Sequence, residues 1–466
     1  MNEYCGIFGI TCNDPNFSVS GLIYSGLMAI QHRGQIFSGL SVYTSKKLIY
    51  SYKNRGIVSK VLNPKKLKAY TGNVGIGHVS CSGPRAYDVK EAQPYHFKSE
   101  KIEFSVAMNG IIHNYDYLVK ELRNRGRIFA GKTDIELIVT LIETFSDSTN
   151  TWLSILKKLL TKIDGWFSLI ILTQDGEIYS LRDPTAHKPL CYGSFEFDNK
   201  KFSVIASESC ALDALGAKLI DDIKPGQIIC INQANKISTY ETEIPKNHQI
   251  CAFEYIYFAR PDSIIDGVSV FDARYNLGIN LAKLDEDRSF KNTIVIPVPD
   301  SGRSAAMGYA WKSGLPYEEG LIKNRYVWQL KVSDLKEKLN TIKAVVEGHN
   351  IILIDDSIIS GITMRKIIAM LKEADALSIH VRVSAPPIVN NCRANSNLSN
   401  RDLLIAHQKK LGKSEDYIEE IRKYIGADSL KYQNIEGLVK SIGLEKDSIC
   451  KSCFDMNLEK QEQINE

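Results

Sequence analysis

The 466-residue sequence lacks the features of a membrane, secreted or nucleic-acid-binding protein. No run approaches the ~18 uninterrupted apolar residues that indicate a membrane-spanning helix. The N-terminus has no basic region followed by a long apolar stretch, so we expect no secretory signal. The 58 basic and 54 acidic residues leave a net charge of +4, which argues against nucleic acid or an anionic membrane as the main partner. The sequence predicts a cytoplasmic protein.

Cysteine is also scarce, and its distribution is uneven. Ten cysteines in 466 residues are far too few for a disulfide scaffold, and a reducing compartment would keep them as thiols. Four lie in or beside strand-like apolar runs and are predicted to be small buried hydrophobes: Cys12, Cys191, Cys210 and Cys230. Six do not fit that interpretation so easily: Cys5, Cys81, Cys251, Cys392, Cys450 and Cys453.

The pattern of predicted secondary structure changes near the middle of the chain. The first half has β-rich segments in runs, with helices predicted at Ser20–Gln31 and Tyr115–Arg125 and after the cap Thr133, which favours an α+β layered domain. Beyond residues 240–250, buried strands alternate with helices, as in a parallel α/β sheet. From residue 401 the tail is charged and predicted to be helical. We expect domains at 5–245 and 246–400, followed by the tail at 401–466.

The most informative segment follows a predicted buried strand, residues 351–354. Asp355 and Asp356 come directly after this strand, and the turn Ser360-Gly361 with Thr363 opens a helix. Ligands bind at this edge of open parallel sheets, where a helix N-terminus can hold phosphate and carboxylates can hold ribose hydroxyls or Mg²⁺. The alternative is a plain turn with two solvated aspartates. The pattern resembles the signature of type I phosphoribosyltransferases, whose substrate is phosphoribosyl pyrophosphate.

A second predicted strand end lies upstream. Asp300, Ser301 and Gly302 follow the apolar run Thr293–Val298 and suit a pyrophosphate or its metal ion. Lys323 and Arg325 are chemically suited to neutralise phosphate charge, although two basic residues are also typical of a solvated face.

The order of these segments, together with Phe258–Ser263 and Ser384–Ile388, resembles the second domain of glutamine phosphoribosylpyrophosphate amidotransferases, which catalyse the first committed step of purine synthesis. That family begins, after a short propeptide, with a string that here is Cys5–Ile10. The resemblance implies removal of Met1–Tyr4 and a nucleophilic Cys5 whose α-amine is the base. Further matches are Gln31–Gln35, Gly77-His78, Glu91–Pro94, Asn109-Gly110, Thr133-Asp134, Arg182–Pro184 and Ala206–Glu208.

The resemblance also implies roles for these residues. The Asn109 side chain and the Gly110 N–H would form the oxyanion hole, and Asp134 would hold the amino group of glutamine. Ser301, Asp355 and Asp356 would bind Mg²⁺ with the phosphoribosyl substrate. The implied fold is an α+β N-terminal nucleophile hydrolase (αββα) glutaminase domain followed by an α/β type I phosphoribosyltransferase domain.

The sequence departs from the family pattern at both active sites. Ser80 stands where the family has the arginine expected to bind the glutamine carboxylate, and Arg85 is a nearby substitute. The family's Arg-Gly-Thr-Thr phosphate turn is here Ser360–Thr363. The loop after Tyr326 also diverges and is shortened before Lys338. We therefore expect a specialised or degenerate relative.

The C-terminal cysteines suggest a metal site. Cys450 and Cys453 form a C-x₂-C pair, which zinc, redox pairing and chance all produce. With Cys251 and Cys392 the pair could form a Cys₄ site for Zn²⁺ or a [4Fe–4S] cluster. The resemblance favours the cluster, because one branch of the family carries [4Fe–4S] with ligands matching these four positions.

Three hypotheses about function follow. The first is an enzyme that makes phosphoribosylamine from phosphoribosyl pyrophosphate and glutamine. The second is a diverged phosphoribosyltransferase that uses ammonia or another amine, and the third is a non-catalytic regulatory paralogue. For the first we expect small-molecule substrates, purine nucleotide effectors and a homo-oligomer, either a dimer or a tetramer.

Overall fold

The computed structural model describes residues 5–80, 89–149, 151–285, 291–324, 338–392, 404–411 and 416–455, which fall into two compact units. The first unit contains the chain up to Cys251 and the short segment Ser263–Gly267. The second contains Ala252–Asp262 and the described chain from Val268 onward. Within these ranges the structure has no helix with the length and apolar character needed to cross a membrane.

Two antiparallel sheets form the middle of the first unit. Short β-rich segments bounded by polar turns produce their strands: β1 (Cys5–Cys12), β2 (Phe37–Tyr43), β3 (Ile49–Arg55), β4 (Val74–Ser80), β5 (Tyr95–Lys98), β6 (Glu103–Ile112), β7 (Gly165–Thr173), β8 (Ile178–Arg182), β9 (Cys191–Phe197), β10 (Lys200–Ala206), β11 (Lys218–Asp222), β12 (Ile228–Ile231) and β13 (Ile237–Tyr240).

One sheet has the order β11-β9-β10-β1-β4-β2-β3 and the other β13-β12-β8-β7-β6-β5. Strand β1 is buried on both faces, which explains its continuous apolar sequence. Ile7 packs in the core between the sheets, whereas Phe8 and Ile10 face the outer helical layer. Cys5 therefore begins the middle strand of the seven-stranded sheet.

Helices cover both outer faces of the two sheets, which completes the predicted αββα arrangement. Helix α1 packs on the seven-stranded sheet, and α4, α5 and α6 share a core with the six-stranded sheet. Cys12, Cys191, Cys210 and Cys230 are buried, as predicted. The helices of this unit are α1 (Ser20–Ala29), α2 (Val58–Val61), α3 (Pro64–Ala69), α4 (Tyr115–Asn124), α5 (Asp134–Ser146), α6 (Trp152–Lys162) and α7 (Cys210–Asp213), with 3₁₀ turns at Gln31–Arg33 and Val89–Glu91.

The remaining elements begin with two short strands, β14 (Ile250–Cys251) and β15 (Ile264–Ile265), which belong to the first unit. Those of the second unit are a π-helical turn (Glu254–Phe258), β16 (Val268–Ser269), α8 (Val270–Lys283), β17 (Thr293–Pro297), α9 (Arg303–Ser313), β18 (Leu321–Lys323), β19 (Leu339–Thr341), α10 (Lys343–Val346), β20 (Asn350–Asp355), α11 (Ile362–Glu373), β21 (Ser378–Val383), α12 (Ile405–Leu411), α13 (Tyr417–Ile425), β22 (Ser429–Tyr432), α14 (Ile435–Ile442) and β23 (Ile449–Cys450), with 3₁₀ turns at Lys446–Ser448 and Ser452–Phe454.

A parallel sheet of order β17-β20-β21-β22 organises the second unit. Helices α8 and α9 pack on one face, and α11 and α13 pack on the other. Because all four strands run the same way, their carboxyl ends meet at one edge, which is where α/β proteins bind ligands. Asp355 is the last residue of β20 at this edge.

The tail differs from the sequence expectation. It contains the predicted helices, but Ser429–Tyr432 forms the strand β22 at the edge of the parallel sheet. Leu430 is buried in the same core as α11. A strand of four residues is too short for a period-2 pattern to stand out between two helices, so the sequence does not reveal it.

Candidate active sites

The first candidate site lies at the start of β1. Cys5 opens the strand and pairs in register with Ser80, the last residue of β4. The Cys5 N–H donates to Asn109 Oδ1 at 3.3 Å, so the predicted nucleophile and the predicted oxyanion residue lie together. This nitrogen is the atom that becomes an α-amine once residues 1–4 are removed. Those four residues lie outside the described part of the chain.

Asn109 and Gly110, the residues predicted to form the oxyanion hole, both lie on β6. Asn109 is 1% exposed, and its Nδ2 has no hydrogen-bond partner within the described residues. A buried N–H without a partner costs about 1–3 kcal/mol, which a substrate oxygen would recover. Gly110 has φ +150°, and a Cβ there would lie 2.1 Å from the carbonyl oxygen of Trp166, so only glycine fits.

Asp134 is the first residue of α5 and is partly exposed. Thr133 caps the helix, as predicted, by accepting the Glu136 N–H at 3.4 Å. The Glu136 carboxylate accepts the N–H groups of Ala130 and Gly131 at 2.6 and 2.8 Å. These bonds fix the loop before α5 and so hold Asp134 in place.

Ser80 is buried between two strands, since it pairs with Cys5 on β1 and with Phe37 on β2. The arginine expected from the family resemblance would extend from this position. Cys81 and Arg85, the substitute considered above, lie outside the described residues.

A buried carboxylate near this site was given no role in the sequence prediction. Glu208 is fully buried and ion-paired to Arg33, which is buried as well. Its Oε1 also contacts His32 Nε2 at 2.7 Å, and its Oε2 accepts the Ser263 hydroxyl at 2.7 Å. Burial alone would raise the pKa of Glu208, but the charge of Arg33 and the contact with His32 hold that pKa well below its usual range.

The second candidate site lies at the carboxyl edge of the parallel sheet. Asp355 and Asp356 are both buried there, with 9% and 7% exposure. Asp355 Oδ1 accepts the Asp356 N–H at 2.9 Å, and the hydroxyls of Ser301 and Ser357 donate to Asp356, each at 2.5 Å. The structure therefore brings Ser301 to the carboxylate pair, as predicted.

The two carboxyls have perturbed acidity. Burial raises the pKa of both, and the charge of Asp356 raises the pKa of Asp355 further. The hydroxyls of Ser301 and Ser357 oppose the rise at Asp356. Like charges held this close retain a proton or attract a cation, and Mg²⁺ prefers such oxygen ligands.

The loop after β17 completes one side of this site. A Cβ on Gly302 would lie 2.5 Å from the carbonyl oxygen of Ile354, so glycine lets this loop approach β20. Lys323 Nζ and Arg303 Nη1 lie 3.1 and 3.0 Å from the two carboxylate oxygens of Asp300. Asp300 thus orients two cations beside the loop. Arg325 lies outside the described residues.

The turn before α11 forms the other side. Gly361 has φ +73°, and the Ile362 N–H lies 3.4 Å from Ser360 Oγ. Thr363 is exposed in the first turn of α11, a helix of 12 residues whose N-terminus favours an anion. Ser360, Gly361 and Thr363 therefore lie at the edge where Asp355 ends its strand.

The four cysteines of the predicted metal site differ in burial: Cys251 and Cys453 are buried, and Cys392 and Cys450 are partly exposed. The N–H groups of Val389 and Asn390 donate to the Cys453 carbonyl at 3.0 and 3.1 Å. No group of three or more histidine, cysteine or acidic side chains within the described residues has the arrangement of a metal site.

Comparisons with known proteins identify the two domains of the chain. A glutamine amidotransferase domain model matches residues 86–214, and a phosphoribosyl transferase domain model matches residues 276–397. The amidophosphoribosyltransferase of Methanothermobacter thermautotrophicus is 37% identical over 464 residues, covering 98% of this chain and 94% of the relative. That of Bacillus subtilis is 37% identical over 470 residues, covering 97% and 93%. The chain belongs to the amidophosphoribosyltransferase family.

Solved structures of amidophosphoribosyltransferases support the fold. Glutamine phosphoribosylpyrophosphate amidotransferase from B. subtilis, complexed with ADP and GMP, has a TM-score of 0.85 at 35% identity and covers 97% of this chain and 96% of its own. A structure described as the allosteric regulatory enzyme of purine biosynthesis has a TM-score of 0.86 at 35% identity, with 97% and 95% covered. An N-terminal glutamine amidotransferase domain followed by a phosphoribosyltransferase domain is thus confirmed, as is the enzyme class.

Sequence reasoning assigned no role to several residues beside the two sites. Glu208, Arg33 and Ser263 stand inside strings that match the family, so their place in those strings was the available signal. Ser357 and Arg274 gave none. Arg274 is buried in α8 and donates to the carbonyl oxygens of Tyr255 and Ala259 at 2.7 and 2.8 Å. A single arginine in the sequence does not indicate that it is buried or which groups it binds.

Proposed function

We propose that this amidophosphoribosyltransferase forms 5-phosphoribosylamine, pyrophosphate and glutamate from phosphoribosyl pyrophosphate, glutamine and water. One observation carries the proposal: a single chain holds both a strand-initial cysteine bonded to Asn109 and a buried carboxylate pair bonded to Ser301. The first arrangement suits amide hydrolysis, and the second suits transfer from an activated ribose.

Removal of Met1–Tyr4 frees the Cys5 amine, which takes the thiol proton as the sulfur attacks the glutamine amide carbon. The negative charge that develops on the amide oxygen is stabilised by Asn109 Nδ2 and the Gly110 N–H. Ammonia leaves with the proton returned by the amine, and water hydrolyses the thioester to glutamate. Asp134 holds the amino group of the substrate throughout.

In the second reaction the ammonia nitrogen bonds to C1 of the ribose, and the C1–O bond to pyrophosphate breaks. Asp355 and Asp356 hold the ribose hydroxyls, while Ser360, Gly361 and Thr363 bind the 5-phosphate. The Asp300–Gly302 loop binds the leaving pyrophosphate or its metal ion, and Lys323 and Arg325 neutralise the phosphate charge. Ser301, Asp355 and Asp356 would hold Mg²⁺, which supplies charge neutralisation; two carboxylates plus substrate phosphates are its usual ligands.

We also propose a [4Fe–4S] cluster held by Cys251, Cys392, Cys450 and Cys453. Two observations support it. The backbone before Cys392 bonds to Cys453, and Phe253, two residues after Cys251, stacks on Phe454 with ring centroids 5.5 Å apart. The cluster would be structural, because the reaction transfers no electrons. Anaerobic purification with iron and sulfide analysis tests it, and colourless protein with stoichiometric zinc or no metal would contradict it.

Further proposals concern regulation, oligomeric state and cellular location. The nucleotides ADP and GMP in the B. subtilis structure suggest purine nucleotides as effectors. We propose a homo-oligomer, dimer or tetramer, in the cytoplasm. Ser80 in place of the carboxylate-binding arginine weakens the glutaminase reaction. The ammonia-using enzyme and the non-catalytic paralogue are therefore two alternative outcomes of the test below.

The test compares glutamine and ammonium as nitrogen donors for pyrophosphate release, in the parent and in a Cys5→Ala variant. The proposal predicts glutamine-dependent release that Cys5→Ala abolishes, with ammonium-dependent release retained. Release with ammonium alone in the parent would favour the ammonia-using enzyme. No release with either donor, in protein whose N-terminus is intact by mass spectrometry, would favour the non-catalytic paralogue.

A further inference from the structure

The segment Ser263–Gly267 belongs to the first unit, although the residues on both sides of it belong to the second. Ser263 is 1% exposed. Its hydroxyl donates to Glu208 Oε2 at 2.7 Å, and the Ile264 N–H donates to Ser209 Oγ at 2.8 Å. The segment is therefore bonded to the chain that joins β10 to α7.

The other end of the segment has separate attachments. Arg182 Nη1 and Nη2 lie 2.7 and 3.2 Å from the two carboxylate oxygens of Asp266. His248 Nε2 lies 3.1 Å from Asp266 Oδ2, and the Gly267 N–H donates to Asp222 at 3.3 Å. These bonds hold the segment in place without involving Ser263.

Glu208 connects Ser263 to the turn that follows α1. Its Oε1 accepts from Arg33 and contacts His32, while Ser263 bonds Oε2, where the weaker Cys210 thiol lies at 3.8 Å. Loss of the Ser263 hydroxyl would remove the hydrogen bond that this side chain donates to the fully buried Glu208 carboxylate. That bond helps to fix the orientation of the carboxylate, on which the positions of Arg33 and His32 depend.

The turn after α1 also contacts β4, the strand that pairs with the start of β1. A Cβ on Gly34 would lie 2.4 Å from the backbone N and C of Ser80, so the turn rests directly on this residue. The Ile36 N–H donates to the Ser80 carbonyl at 2.9 Å. Ser80 pairs in register with Cys5. A continuous set of contacts therefore leads from Ser263 through Glu208, the turn and Ser80 to Cys5.

We propose that Ser263 is a positioning residue for the glutaminase reaction, acting through Glu208 on the turn that supports Ser80 and Cys5. This inference rests on the proposed function of Cys5. Ser263 is 1% exposed and its hydroxyl is bonded to Glu208, so its effect is on the geometry of the site rather than on contact with substrate. The reaction of phosphoribosyl pyrophosphate with free ammonia does not require it.

The experiment compares Ser263→Ala with Ser41→Ala in the full-length protein. Ser41 is a matched control, because its hydroxyl is equally buried in this unit and bonds to Ser51 and Ser105 at 2.6 and 2.7 Å, away from Glu208. We measure kcat/KM with glutamine, kcat/KM with ammonium, and the thermal midpoint of each variant. The informative quantity is the ratio of the glutamine to the ammonium value, because general destabilisation lowers both.

Ser263→Ala should lower this ratio by about three- to tenfold, as expected for the loss of one hydrogen bond to a charged group, and Ser41→Ala should not change it. If Ser263→Ala does not fold, His32→Ala tests the next contact, since that side chain is 29% exposed and should lower the ratio similarly. An unchanged ratio in the folded variant overturns the inference. A parent protein with no glutamine-dependent activity instead overturns the proposed function.

Discussion

Replacing Asn109 with alanine should remove most of the glutaminase rate while leaving the stability of the protein almost unchanged. The reason is the unusual state of this side chain. It is 1% exposed, Oδ1 accepts the Cys5 N–H at 3.3 Å, and Nδ2 has no partner within the described residues. The side chain is thus arranged for a bond that forms during the reaction.

The magnitudes follow from these contacts. Loss of an oxyanion-hole donor lowers kcat by about 10²–10³-fold, or about 2.7–4 kcal/mol. For folding, the variant loses one hydrogen bond, worth about 0.5–1.5 kcal/mol, and also removes an unpaired buried N–H that costs about 1–3 kcal/mol. The two changes oppose each other, so the free energy of unfolding should stay within about 1 kcal/mol of the parent.

Asn114→Ala is the matched control. Asn114 Nδ2 donates to the Lys162 carbonyl at 3.1 Å, and its Oδ1 accepts the Asp164 N–H at 3.1 Å, so both ends are paired. This variant should lose about 1–3 kcal/mol of stability and keep its glutaminase rate. The assay is glutamate release with denaturant unfolding in parallel. A kcat for Asn109→Ala within fivefold of the parent, or a stability loss as large as that of Asn114→Ala, would refute the reasoning.

Three further predictions follow. Asp355→Asn keeps the acceptor for the Asp356 N–H but removes a charge, so calorimetry with Mg²⁺ should show weaker binding of phosphoribosyl pyrophosphate; unchanged affinity would contradict the assignment. Ser80→Arg should lower the KM for glutamine by roughly ten- to a hundredfold, since a charge-assisted bond is worth about 1.5–3 kcal/mol; no change would indicate that another cation already binds the carboxylate. Burial and the charge of Asp266 raise the pKa of Asp222 from 3.8 to about 6, so its ionisation disfavours folding above pH 6, and this cost is relieved as the pH falls towards 4. Asp222→Asn should therefore stabilise the protein at pH 7.5 by on the order of 1–3 kcal/mol, with the difference vanishing near pH 4 in denaturant unfolding; a pH-independent difference would contradict this.

Much of the scaffold could be predicted from the sequence, because buried strands and capped helices have local signatures. The helix predicted after the cap Thr133 begins at Asp134, and the buried strand predicted at residues 351–354 lies within β20. Strand β1 was recognisable as a continuous apolar run. Strand β22 was not, because its four residues follow a helix and owe their conformation to pairing with β21.

Some features of the two candidate sites could likewise be predicted from the sequence, and others could not. Candidate site residues at Asp355, Asp356 and in the Ser301 loop could be predicted, because polar residues directly after a predicted strand are recognisable in the sequence. The Glu208 network could not, because it joins residues 175 and 55 positions apart along the chain, and only the folded structure brings them into contact. The unpaired state of Asn109 Nδ2 is likewise a property of the packed protein.

The most direct test of the central claim is the source of the nitrogen in the product. The protein is incubated with phosphoribosyl pyrophosphate, Mg²⁺, glutamine labelled with ¹⁵N at the amide, and excess unlabelled ammonium, and the amine product is examined by mass spectrometry. If one chain couples glutaminase and phosphoribosyltransferase reactions, product labelled with ¹⁵N forms although unlabelled ammonium is in excess, and its amount follows the amount of glutamate released. A product containing only unlabelled nitrogen, or no pyrophosphate release, would contradict the account.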